Sequence, residues 1–136
     1  DAAHGPVHGC LVYGPAPEHE RNPGLYHYGI HAVEILYTLM GPGCDRVSCV
    51  YEKGATVATG HWTDGRVATV RGTRAGKADY GFTAFAEKGV ANVAVGTKFI
   101  YRELLKKVVE TFTTGTPAVD PATTVEIVAF IEAANK

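Results

Sequence analysis

The apolar residues of this chain fall into runs whose period changes along its length. Residues 7–13 form a short apolar run closed by Gly14-Pro15-Ala16-Pro17, the pattern of one strand followed by a loop. The next stretch, from Glu18 to Gly24, is polar and rich in breakers, and reads as loop. From Leu25 to Met40 the chain is nearly continuously apolar. It then stops at Gly41, which supplies a left-handed cap, and at Pro42, which forbids continuation. A helix apolar on most of its circumference is a buried one. Its few polar residues, His27, His31, Glu34 and Thr38, recur at helical spacing and so share one stripe.

The middle of the chain reads as sheet. Residues 46–52 and 56–63 are β-rich, and Asp64-Gly65 between two such runs predicts a two-residue hairpin, since a type I′ turn needs positive φ at both positions. Residues 66–73 form the return strand. Residues 77–86 alternate, and the turn Glu87-Lys88-Gly89 leads to a last strand over 90–95. Consecutive strands joined by short turns imply antiparallel pairing.

Two amphipathic segments close the chain. Residues 99–112 place Ile100, Leu104, Leu105, Val108, Val109 and Phe112 on one face, with Gly115 and Pro117 as the stop. Asp120-Pro121 then supplies a capping acceptor and a proline at the first helical position, so a helix runs to about Ala134. The predicted fold class is α+β: an open, predominantly antiparallel sheet with helices packed on one face, a two-layer sandwich formed by one domain over residues 1–136.

Composition narrows the function. With 13 Lys+Arg against 14 Asp+Glu the net charge is −1, which leaves no electrostatic footprint for nucleic acid or an anionic membrane. No apolar run approaches a membrane span. The first six residues, Asp1 to Pro6, lack the basic and apolar sections of a signal peptide and read as a loop entering from mid-protein. The three cysteines, Cys10, Cys44 and Cys49, cannot all pair within one chain. They read as reduced thiols of a cytoplasmic protein, with a Cys44–Cys49 bridge as the alternative.

The polar stripe carries the chemistry. His27 and His31 lie four residues apart, so one ring can accept a proton near neutral pH while the other orients it or the substrate. The alternative is a pair of core histidines bonded to backbone carbonyls. His-x-x-x-His also supplies two metal ligands, but zinc needs a third and no H-E-x-x-H glutamate is present, so no metal is expected. His61-Trp62-Thr63-Asp64-Gly65-Arg66 concentrates functional residue types beside a turn, where turn chemistry and a packed tryptophan are the other reading. The basic residues Arg66, Arg71, Arg74 and Lys77 could hold an acidic substrate or simply form a solvated face. Glycine-rich phosphate loops of the G-x-G-x-x-G and Walker types are absent, as is a G-x-S-x-G nucleophile elbow.

The segment Gly24-Leu25-Tyr26-His27-Tyr28-Gly29-Ile30-His31-Ala32-Val33-Glu34, followed by Leu39-Met40-Gly41, resembles the substrate domain of the Gfo/Idh/MocA oxidoreductases. The family pattern is a glycine-led stretch, an aspartate, then Gly-x-His opening a helix that ends in Leu-x-Gly. Residues 47–95 resemble the family's long sheet, and residues 101–117 and 126–135 its late helices. The resemblance covers nearly the whole chain, but only the C-terminal half of the family; the nucleotide-binding half is missing. It implies a substrate-binding and catalytic-base domain of an NAD- or NADP-dependent sugar or polyol dehydrogenase, with no dinucleotide bound by this chain alone. It also implies a homodimer or tetramer formed through the exposed sheet face. His31 matches the family's catalytic or substrate-binding histidine, and His27 stands where the family has its aspartate. Tyr26, His61 and Tyr101 complete the candidate substrate-binding set with His27. A noncatalytic binding or assembly module and an NAD-dependent glycosidase domain are the alternatives within the same fold.

Overall fold

The computed structural model describes residues 4–136, so the first three residues of the expected N-terminal loop lie outside it. The elements are β1 (Val7–Pro15), α1 (Gly29–Met40), β2 (Cys44–Glu52), β3 (Ala55–Trp62), β4 (Val67–Thr73), β5 (Gly81–Ala86), β6 (Gly89–Ala94), α2 (Ile100–Thr114) and α3 (Pro121–Ala134). The α+β class is as the sequence predicts.

The six strands form one open sheet in the order β2-β3-β4-β1-β5-β6. Four of the neighbouring pairs are antiparallel, but β1 lies parallel to β4 and antiparallel to β5. The first strand is thus inserted between two strands that sequence order alone would pair. The connection over residues 74–80 makes this possible, because seven residues reach about 23 Å. Crossing two strand spacings needs only about 10 Å. The insertion puts Cys10 and Val12 of β1 beneath the buried side of α1, next to Ala68 and Val70 of β4.

The core lies between that side of the sheet and the helices α1 and α3. Ala32, Val33, Leu36, Tyr37 and Met40 of α1 are buried, as are Ile127, Phe130, Ile131 and Ala134 of α3. The Tyr37 ring meets Trp62 at 5.8 Å and Phe130 at 6.1 Å, joining sheet and both helices. Glu126 of α3 reaches across to β2, where its Oε1 accepts from the backbone N–H of Gly43 and of Cys44, each at 2.8 Å.

Four local expectations change. The helix predicted from Leu25 begins at Gly29, and the preceding residues form turns around Leu25, which is fully buried. Asn135 holds that turn: its Oδ1 accepts from Leu25 N at 3.3 Å and its Nδ2 donates to Pro23 O at 3.2 Å. The Asp64-Gly65 connection is not a type I′ turn, since only Gly65 has positive φ. It is a wider loop closed by Trp62 N donating to Arg66 O at 2.9 Å, with the Asp64 carboxylate accepting from Arg66 N. The strand expected over residues 77–86 starts only at Gly81. Finally, α2 does not pack on the sheet. None of its residues is buried, and Phe112 on its apolar face is 85% exposed.

The helix ends fall where the sequence places them, although Gly41, at φ 71° and ψ −178°, does not take the left-handed helical conformation expected of it. Gly41 at φ 71° ends α1 with its N–H donating to Tyr37 O, and Gly115 at φ 71° ends α2 in the left-handed conformation. The Asp120 side chain accepts from Ala122 N at 3.1 Å and opens α3.

Candidate functional site

Burial of one side of α1 orients the other. His31, Glu34 and Thr38 lie exposed along the helix, one turn apart, as their spacing predicts. His31 Nδ1 and Glu34 Oε2 are 3.0 Å apart, and the Thr38 hydroxyl donates to Glu34 O at 2.8 Å. An ionised carboxylate only accepts, so the proton of this bond belongs to Nδ1 and the lone pair of the neutral ring to Nε2.

These three side chains form one wall of a cavity of about 200 Å³. Ile35 of the same helix, Tyr80, Val95, Thr97 and Ile100 supply the rest. Tyr80 sits in the connection before β5 because Gly14 has no side chain. A Cβ there would lie 2.7 Å from two Tyr80 ring carbons and 3.2 Å from Ala32 Cβ. The buried Tyr80 hydroxyl finds no hydrogen-bond partner among the described residues. Burial, and then the neighbouring Tyr28 and Glu34, push its pKa up, so it remains a neutral O–H donor at neutral pH.

A file of rings leads to this cavity. His19 meets His27 at 4.6 Å, His27 meets Tyr28 at 5.0 Å, Tyr28 meets His31 at 6.1 Å and His31 meets Tyr80 at 6.2 Å. The three contacts involving Tyr28 and Tyr80 are edge-to-face, the favoured geometry for aromatic quadrupoles. His27 therefore lies in the turn before α1, stacked on His19, with the Tyr28 ring between it and His31.

The remaining sequence candidates are dispersed. Tyr26 packs against the core, where burial and then Glu132 raise its pKa. His61 alternates with buried Gly60 and Trp62 on β3, so its side chain is on the sheet face opposite α1. Tyr101 lies exposed on α2, one residue from Ile100. The structure brings His31, Glu34 and Thr38 together with Tyr80, but not with Tyr26, His61 or Tyr101. Tyr80 is hidden from sequence reasoning because its segment alternates like a strand.

Two of the basic residues are braces. The Arg66 guanidinium holds Asp64 at 2.7 Å, Met40 O at 2.9 Å and Val7 O at 3.3 Å, clasping the β3–β4 loop to α1 and β1. Arg74 donates to Glu52 O, Lys53 O and the Thr56 hydroxyl, and stacks on the Tyr51 ring. Among the described residues no group of three His, Cys, Asp or Glu side chains is placed to hold a metal ion. The three thiols are free. No described helix is long and apolar enough to cross a membrane. A second cavity of about 280 Å³ between α1 and α3 shares Glu34 and Thr38, but Val119, Ile127 and Val128 line it and no histidine does.

No protein-family model matches the sequence, and no curated protein sequence does. Solved structures match in fold. The myo-inositol 2-dehydrogenase of Lactobacillus plantarum superposes with a TM-score of 0.76 at 13% identity, over 98% of this chain and 56% of that one. GenD2 of gentamicin A biosynthesis, solved in complex with NAD, gives 0.78 at 18% identity, over 98% and 54%. The UDP-N-acetylglucosamine 3-dehydrogenase of Acidithiobacillus ferrooxidans gives 0.72 at 13% identity, over 98% and 54%. The chain shares the fold of part of each of these proteins, over 98% of its own length. It spans about half the length of the structures it matches. Among the described residues β1 leads into Gly14-Pro15-Ala16-Pro17 and a turn-rich loop, not into a glycine-rich phosphate cradle at a helix N-terminus.

Proposed function

We propose that this chain is the substrate-binding and proton-accepting half of a Gfo/Idh/MocA-type oxidoreductase that works on a sugar or polyol with NAD or NADP. The dinucleotide would be held by residues other than those described here. The observation that carries the reading is the His31–Glu34 pair on the wall of a small cavity, in a fold shared with sugar and polyol dehydrogenases. Glu34 keeps the Nδ1 proton in place, and His31 Nε2 accepts the proton of the substrate hydroxyl that becomes a carbonyl, while the hydride of the same carbon would pass to the dinucleotide held elsewhere. Glu34 thus takes the orienting role for which His27, standing at the family's aspartate position, has no carboxylate. The open sheet face, with Leu11, Tyr13, Val67 and Phe85 exposed, serves self-association.

The test uses nuclear magnetic resonance of this chain with myo-inositol, D-glucose and N-acetyl-D-glucosamine. The reading expects at least one to shift the His31, Glu34 and Thr38 signals saturably. Calorimetry with NAD and NADP should show no micromolar binding to the chain alone. In the enzyme assembled with a dinucleotide-binding half, His31→Ala should lower the rate roughly 10²–10⁴-fold, with a smaller change in substrate binding. An unchanged rate in His31→Ala, or no response to any of the three probes, overturns it.

A further inference from the structure

Helix α2 carries an apolar face that the rest of the described chain leaves bare. None of its residues is buried. Ile100, Leu104, Leu105 and Val109 are 56–63% exposed, and Phe112 is 85% exposed. With Val108, six side chains of this size present on the order of 500 Å², at the upper end of what a protein leaves bare without a partner. The ion pairs of α2, Arg102 and Lys106 with Glu103 and Lys107 with Glu110, lie within the helix. A helix of 15 residues gains little from local order alone, so its stability has to come from packing on its apolar side. Whatever covers α2 also meets the candidate site. Ile100, at the start of the helix, lines the cavity of about 200 Å³ together with His31 and Glu34.

We infer that the apolar face of α2 is the seat of the dinucleotide-binding half of the enzyme, which docks there through an apolar patch edged with carboxylates. The inference rests on the proposed function and says where its two halves meet. Three observations favour this occupant over a second copy of the chain. The matched structures overlay 98% of this chain but only 54–56% of their own, so each carries a further body of nearly this size. Two such bodies within one protein meet over roughly 600–1,500 Å², and the α2 face supplies a large part of one side. The reaction asks for the same neighbour. A hydroxyl deprotonated at His31 gives its hydride to the nicotinamide, so the body holding the dinucleotide has to approach the cavity that Ile100 lines. A second copy has a different seat, because the open sheet face lies away from α1 whereas α2 starts beside it. Charge sets the edge of the contact. Lys98, Arg102, Lys106 and Lys107 outnumber Glu103 and Glu110 along this segment, which suits acidic side chains around the apolar patch.

The test compares this chain alone with the enzyme assembled with its dinucleotide-binding half and loaded with NAD. Amide hydrogen exchange over Ile100–Thr114 should be fast in the chain alone and about 10-fold or more slower in the assembled enzyme. Leu105→Glu with Val109→Glu places two carboxylates on the exposed face. The chain alone should then keep its melting temperature, its sedimentation and its His31 response to myo-inositol, D-glucose or N-acetyl-D-glucosamine. In the assembled enzyme the same pair should lower turnover of the probe that shifts His31 most by about 10-fold or more, because the two halves no longer seat correctly. His31→Ala should lower turnover as well but leave α2 protected. Exchange of α2 that assembly does not slow, or full turnover in the double variant, overturns this inference and leaves the functional reading standing. Amides of α2 already protected in the chain alone assign the face to the chain itself, and a double variant with altered sedimentation assigns it to a second copy; either result overturns the inference too. Full turnover in His31→Ala, with α2 protected on assembly, keeps the docking and overturns the functional reading instead.

Discussion

Glu34 Oε2 lies 3.0 Å from Nδ1 of His31, one turn back along α1, where an ionised carboxylate accepts from an Nδ1–H. The pair is half-exposed, so it adds little to stability. Its consequence is chemical. A carboxylate on Nδ1 selects the Nδ1–H tautomer and leaves Nε2 basic.

Glu34→Gln weakens that preference, since an amide can donate to Nδ1 as well as accept from it. Ring ¹⁵N shifts of His31 should report mainly Nδ1–H in the native chain and a mixture in the variant. The melting temperature should change by no more than a degree or two. A native ring already mixed between tautomers would remove Glu34 from its orienting role.

Glu126 ties α3 to the start of β2, and its removal should be felt by the whole fold. Glu126→Ala leaves two partly buried N–H donors, those of Gly43 and Cys44, without an acceptor. The expected loss is about 1–3 kcal/mol of unfolding free energy, read from urea denaturation. Glu126→Gln keeps an acceptor oxygen and should recover most of it. Equal losses in both variants would assign the effect to charge instead of to these two bonds.

Burial pushes the Cys10 thiol up to about 12, with Arg66 opposing part of the rise. The folded chain therefore holds this proton after the unfolded chain has released it. The resulting stability is complete below the unfolded thiol's pKa, near 9, and is lost as pH rises from there towards 12. Unfolding free energy should fall over that window, by up to about 1.4 kcal/mol per pH unit for each such proton. Cys10→Ala should make the decline shallower without abolishing it, because burial raises the Tyr37 hydroxyl in the same direction. An identical slope in the variant would show that Cys10 ionises freely in the folded chain.

Leu11 stands at the middle of the open sheet face, between Thr69 of β4 and Thr83 of β5. If that face joins two copies, the native chain sediments as a dimer or larger assembly. Leu11→Arg should then shift it to the monomer with unchanged circular dichroism. A native chain that stays monomeric at high concentration removes the sheet face as an interface.

Local order determined a good deal of this protein. The helical spacing of His31, Glu34 and Thr38 put them on one exposed stripe of α1, because every third or fourth residue of a helix returns to the same side. Gly41, Gly115 and Asp120-Pro121 marked their helix ends, because caps act on backbone groups within one turn. The cavity itself was decided at long range. β1 entered the sheet between β4 and β5 because a central strand is chosen by the burial it provides under α1, not by its place in sequence. His61 was carried to the opposite face by strand alternation, where a shift of one residue exchanges inside for outside. Tyr80 reached His31 only because Gly14, far away in sequence, leaves room for its ring. Tyr28 took a backbone conformation its residue type disfavours, which no propensity can foresee.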